Sequence, residues 1–112
     1  MPSQKYMFIH RGPTDGQPPS PTQMQEMFAV WNAWKDRFKD NVVDMGDKLR
    51  SSGKVLTAAG VTDGPFVESK EIVGGYMIVA ADSYDDAAEM ARELMGMMTP
   101  GTRIEVRELA GH

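Results

Sequence analysis

Two stretches of this chain, Gln4 to Arg11 and Ile72 to Ala81, alternate like β-strands yet carry apolar side chains on both faces. No other feature limits the available folds as much. In the first, Tyr6, Phe8 and His10 point one way and Met7, Ile9 and Arg11 the other; in the second, Tyr76, Ile78 and Ala80 oppose Met77, Val79 and Ala81. A strand apolar on both sides belongs in the middle of a sheet with both faces covered. By contrast, the stretch from Thr102 to Leu109 sets Ile104 and Val106 against Arg103, Glu105 and Arg107, the alternation of an edge strand.

Helices fall between these strands. Ser20, Pro21 and Gln23 form a capping box with proline at the first helical position. From there Met24, Met27, Phe28, Trp31, Trp34 and Phe38 recur at steps of three and four. The same phase continues through Val42, Met45 and Leu49, with Gly46 marking a break or a second short helix, and the helical region ends at Ser51, Ser52 and Gly53. Lys54 to Ala59 reads as a short second strand, and Gly60 to Glu71 as a turn-rich excursion. A second helix starts at Ser83, with Ala87, Met90, Ala91, Leu94 and Met98 as its apolar stripe and Pro100 and Gly101 as its stop. The expected order is β-α-β-β-α-β, an α+β, ferredoxin-like two-layer sandwich of one domain spanning 1–112. Two helices cover one face of such a sheet, so the other face of the central strands calls for a second copy of the chain, giving a homodimer.

Composition excludes several function classes. The formal charge is −4, and the 12 lysines and arginines are scattered rather than grouped. Neither a nucleic acid nor an anionic membrane is therefore an expected partner. No apolar run approaches a spanning helix, the first one stops after Tyr6 to Ile9, and cysteine is absent, so a cytoplasmic protein without disulfides is expected. A compact monomer of 12.4 kDa exposes roughly 6,000 Å². Ten methionines and two tryptophans are the one compositional excess.

The segment Val61 to Tyr76, VTDGPFVESKEIVGGY, resembles the signature of the YCII-related family, also called the DGPF domain after Asp63, Gly64, Pro65 and Phe66. The likeness continues through Glu68, Lys70, Glu71, Gly74, Gly75 and Tyr76, into the helix at Ser83 with Ala87 and Ala88, and on to Glu105, Val106 and Arg107. It implies a dimeric α+β barrel, a histidine and aspartate dyad in some members, and an association with extracytoplasmic-function sigma factors. The chain departs from the commonest pattern at His10 and Arg11, at Trp31 and Trp34, and in the run Val42, Val43, Asp44, Met45, Gly46, which marks a sub-branch.

His10 is the sole internal histidine and the leading acid–base candidate, with Asp44 or Asp63 as the carboxylate that would orient it. A satisfied structural histidine, or one at the dimer seam, is the competing account. Tyr6, Phe8, Trp31, Phe66, Glu68, Lys70 and Tyr76 are the expected ligand contacts of a small-molecule pocket between the sheet and the partner subunit. The DGPF stretch also has a plain structural account, in which Asp63 caps a turn, Gly64 relaxes it, Pro65 fixes the exit and Phe66 anchors the loop. No cofactor is expected, and no metal, since two histidines, one of them terminal, give no ligand spacing. Asp82, Asp85, Asp86 and Glu89 sit where carboxylates favour a helix N-terminus. The alternative to a catalytic pocket is a non-enzymatic ligand- or protein-binding module tied to transcriptional regulation through a sigma factor.

Overall fold

The computed structural model describes residues 4–13, 19–50, 52–64, 71–98 and 101–111. Six strands and two helices follow one another as β1 (Gln4–Pro13), α1 (Pro21–Phe38), β2 (Val42–Lys48), β3 (Gly53–Thr57), β4 (Gly60–Gly64), β5 (Glu71–Ala81), α2 (Tyr84–Leu94) and β6 (Arg103–Glu108), with one 3-10 turn at Met95–Met97. The fold is α+β. The main sheet has the order β2-β5-β1-β6 and is antiparallel throughout. Set aside the β3–β4 hairpin, and the connectivity is that of the split βαβ plan, with the two doubly apolar strands at the centre.

Both helices lie on one face. Tyr6, Phe8, Met77, Val79 and Ala81 rise from the central strands to meet Trp34 of α1 and Ala87, Met90, Ala91 and Leu94 of α2, all buried. Each helix starts where the sequence signals it. The Ser20 hydroxyl accepts the Gln23 amide at 3.2 Å while the Gln23 side chain accepts the Ser20 amide at 2.8 Å, and the Ser83 hydroxyl accepts the Asp86 amide at 3.1 Å. The opposite face carries Met7 and Ile9 beside Ile78 and Ala80, with Arg11 paired to Glu105 at 3.0 Å near its border. Neither helix covers that face.

The second strand of the sheet is not where the periodicity predicts it. Val42 to Lys48, expected to prolong α1, is the edge strand β2, and Lys54 to Ala59 contributes instead to a separate hairpin. α1 ends at Phe38 because Asn41 docks onto β5: its side-chain amide donates to the Ala80 carbonyl at 2.9 Å, and its own carbonyl accepts the Ala80 amide at 2.7 Å. β2 then pairs with β5 through two register shifts, between Val42 and Asp44 and between Asp44 and Asp47. Those bulges erase the period of two and leave a spacing that imitates a helix. Within the expected excursion, residues 60–64 form β4, which pairs Leu56 with Val61 and Lys54 with Asp63 across the hairpin. No helix of the described residues is long and apolar enough to cross a membrane.

Candidate functional site

Trp34 alone among α1 residues is buried, although the helix carries an apolar stripe along its whole length. Its indole N–H donates to the Met90 carbonyl at 2.9 Å, and its ring stacks on Trp31 and packs on Phe38, so the C-terminal half of α1 is fixed to α2. The N-terminal half overhangs the sheet instead of packing into it, and Met24 and Phe28 stay 45% and 59% exposed. Beneath the overhang lies a cleft of about 520 Å³. Met24, Met27, Phe28 and Trp31 form its roof, Met45 to Lys48 its β2 wall, His10 and Met77 its floor, and Met97, Met98 and Thr102 its far end. Six of the chain's ten methionines therefore meet at one cavity. Thioethers are polarizable and adaptable, and such a lining accommodates irregular apolar ligands.

His10 is the polar group of the floor. Its Nε2 is buried without a hydrogen-bond partner, the one such side-chain atom among the described residues. Burial lowers its pKa below the ordinary histidine value, because an imidazolium in that apolar setting loses its hydration. A neutral imidazole at physiological pH offers a ligand one hydrogen bond or one proton acceptor. The backbone beside it is glycine for a steric reason: a Cβ on Gly75 would lie 3.1 Å from the Asp47 carbonyl and 3.5 Å from His10 Nδ1. Gly75 thus lets β1 and β2 approach the same point of β5 from either side.

The lowered pKa predicts a pH dependence of stability. The unfolded chain takes up a proton on His10 as pH falls through about 6.5, whereas the folded chain resists until lower pH. Stability is therefore complete above that value and lost progressively below it, down to the folded-state pKa. Urea unfolding at pH 7.5 and pH 5.5 should show this loss, and His10→Phe should remove the part due to this residue. An unchanged pH slope in the variant would mean that His10 protonates as readily in the fold as out of it.

The expected site residues separate into three groups. His10, Trp31 and Tyr76 are at the cleft, Tyr76 beside the Gly46 backbone and paired with Ile9 on the sheet's other face. Tyr6 and Phe8 share the helix-facing side of β1 with His10, but they are 1% and 0% exposed in the core and absent from the cleft lining. Consequently the cavity lies between sheet and α1, on the face away from the one where a partner was expected. Asp44 and Asp63 do not reach it. The Asp44 carboxylate accepts the Gly46 amide at 2.8 Å within the β2 bulge, and Asp63 pairs with Lys54 on the hairpin. Phe66, Glu68 and Lys70 fall outside the described residues. Asp47, which sequence reasoning missed, joins the cleft lining because the second register shift of β2 brings it level with Tyr76; its backbone carbonyl stands beside Gly75, and its carboxylate accepts the Lys48 amide at 2.7 Å. Among the described residues, no group of three or more His, Cys, Asp or Glu side chains could hold a metal.

A family model described as the YCII-related domain matches residues 20–109, from the cap of α1 to the end of β6. The match begins after β1, so it does not include His10. No curated protein matches the chain. With four-fifths of its length covered, including both helices, the hairpin and three strands of the main sheet, the chain belongs to the YCII-related family.

Proposed function

We propose that this chain is a small-molecule-binding domain, comprising residues 1–112, whose ligand occupies the methionine-lined cleft with its one polar group on His10 Nε2. The observation that carries the reading is the buried, unpartnered Nε2 on the floor of an otherwise apolar cavity. A buried polar atom without a partner costs on the order of 1–3 kcal/mol, and a ligand that satisfies it recovers part of that cost. Trp31, stacked parallel on Trp34 at 5.9 Å, supplies a flat wall for a planar ligand. With its pKa lowered, His10 works as a general base toward an acidic C–H or O–H of the bound molecule. The active unit is a homodimer of the α+β barrel type, with the open face of the sheet turned to the partner, acting in the cytoplasm.

Protein-observed NMR against a set of small planar compounds tests the cleft. Binders should move the imidazole nitrogens of His10 and the indole N–H of Trp31 together, and His10→Gln should weaken them by roughly 10-fold, the value of one hydrogen bond. Binders that move neither group, or that bind the variant equally well, would defeat the reading. Loss of any measured turnover in His10→Gln with binding only modestly weakened would assign it catalysis.

A further inference from the structure

The β3–β4 hairpin is the part of the chain that cleft chemistry does not explain. It makes no hydrogen-bonded ladder with the main sheet and at most marginal contact with the helices or the other strands. On one of its faces Leu56 and Val61 stand opposite each other, 72% and 62% exposed, beside the Lys54–Asp63 pair. A lone two-stranded hairpin is marginally stable in water, and an exposed aliphatic cross-strand pair does not steady it. Its root lies between β2 and β5, at the sheet end that carries Lys48 and Gly75.

Area points to the occupant. The open face of four strands, taken over about six residues at about 3.4 Å rise and about 4.8 Å spacing, offers a footprint of only about 400 Å². A stable pairing buries about 800 Å² on each partner, so that face alone is half an interface. The chain meanwhile exposes 8124 Å², about 2,000 Å² above the roughly 6,000 Å² of a compact monomer of its mass. Its radius of gyration, 15.5 Å, exceeds the about 13 Å of a compact chain this long, and its extents are 45 × 43 × 18 Å. The missing area, about 400 Å² on each partner, is well within that surplus.

We infer that the hairpin is an arm that clasps a second copy of this chain, burying Leu56 and Val61 against that copy, with the arms exchanged symmetrically about a two-fold axis. This rests on the face-to-face dimer proposed above and adds the element that gives it sufficient area. The arm carries a balanced Lys54–Asp63 charge pair, so it meets a like copy without net repulsion.

Sedimentation of the full chain between about 1 and 100 μM tests both statements. The wild type should sediment at twice 12.4 kDa. The double variant Leu56→Asp, Val61→Asp should keep its circular dichroism spectrum and raise the dissociation constant by about 100-fold or more. A wild type that is monomeric at 100 μM overturns the dimer and the arm with it. A dimeric wild type with an equally tight variant overturns the arm alone. Amide exchange on the wild type keeps the test sound if the variant misfolds: protection of residues 54–63 should rise with the dimer fraction, and equal protection in monomer and dimer refutes the arm.

Discussion

Gly46→Ala is expected to destabilise the domain by about 3 kcal/mol or more and to lower Tm by about 12 °C or more. Two costs combine. Gly46 has φ +65°, where a side chain costs about 1–2 kcal/mol, and a Cβ there would stand 1.7 Å from the Tyr76 carbonyl oxygen. The obstacle is backbone of a central strand, so it cannot swing aside. The edge strand must peel away, taking with it the Asp44 turn and the β2 wall of the cleft. Gly101→Ala is the control. Its φ is +87°, but the nearest atoms to its Cβ lie at ordinary contact distance, 3.5 Å, on the Pro13 ring. It should cost the strain alone, about 1–2 kcal/mol. Urea unfolding of both variants decides the matter, and equal losses would mean that β2 yields without cost.

The second large effect is expected at Trp34. Trp34→Ala should cost about 3–5 kcal/mol, because it empties the largest buried volume between the helices and removes the donor to the Met90 carbonyl. Trp34→Phe, which keeps most of the ring volume, should cost about half as much or less. The alanine variant has a second readout. α1 is the roof of the cleft and is anchored through this side chain, so ligand-induced changes in the fluorescence of the remaining Trp31 should disappear even under conditions where the variant is still folded. A variant that is destabilised but binds normally would show that the roof is held by other contacts.

Most of the fold is legible in the sequence wherever burial and periodicity coincide. β1, β5 and β6 each lie within two residues of their expected limits because their alternation faces a real core, and α2 starts at its Ser83 cap as expected but gives way after Leu94 to a 3-10 turn at Met95–Met97, short of the Met98 end of its stripe. β2 is the exception for a physical reason. As a bulged edge strand it has no fixed period, and Val42, Met45 and Leu49 happen to keep the phase of the helix before them. The site suffers from the same misreading. His10 is found by its chemistry alone, and Trp31 by its stripe. Asp47, Met45 and Gly46 are not assigned to the site because a chain read as helix at 42–49 cannot be folded against Gly75. The apolar stripe of α1 is correct as a pattern but misleads about its use, since its first half roofs a cavity and its second half packs a core.

The two register shifts in β2 also bear on how this molecule avoids a hazard common to open sheets. An unbroken edge strand is a template onto which further chains add by main-chain hydrogen bonding, and a flat sheet with two such edges can grow into a fibre. Here one edge is kinked twice within seven residues, and the other, β6, displays Arg103, Glu105, Arg107 and Glu108. Both edges of the sheet therefore carry a feature that opposes sideways polymerisation.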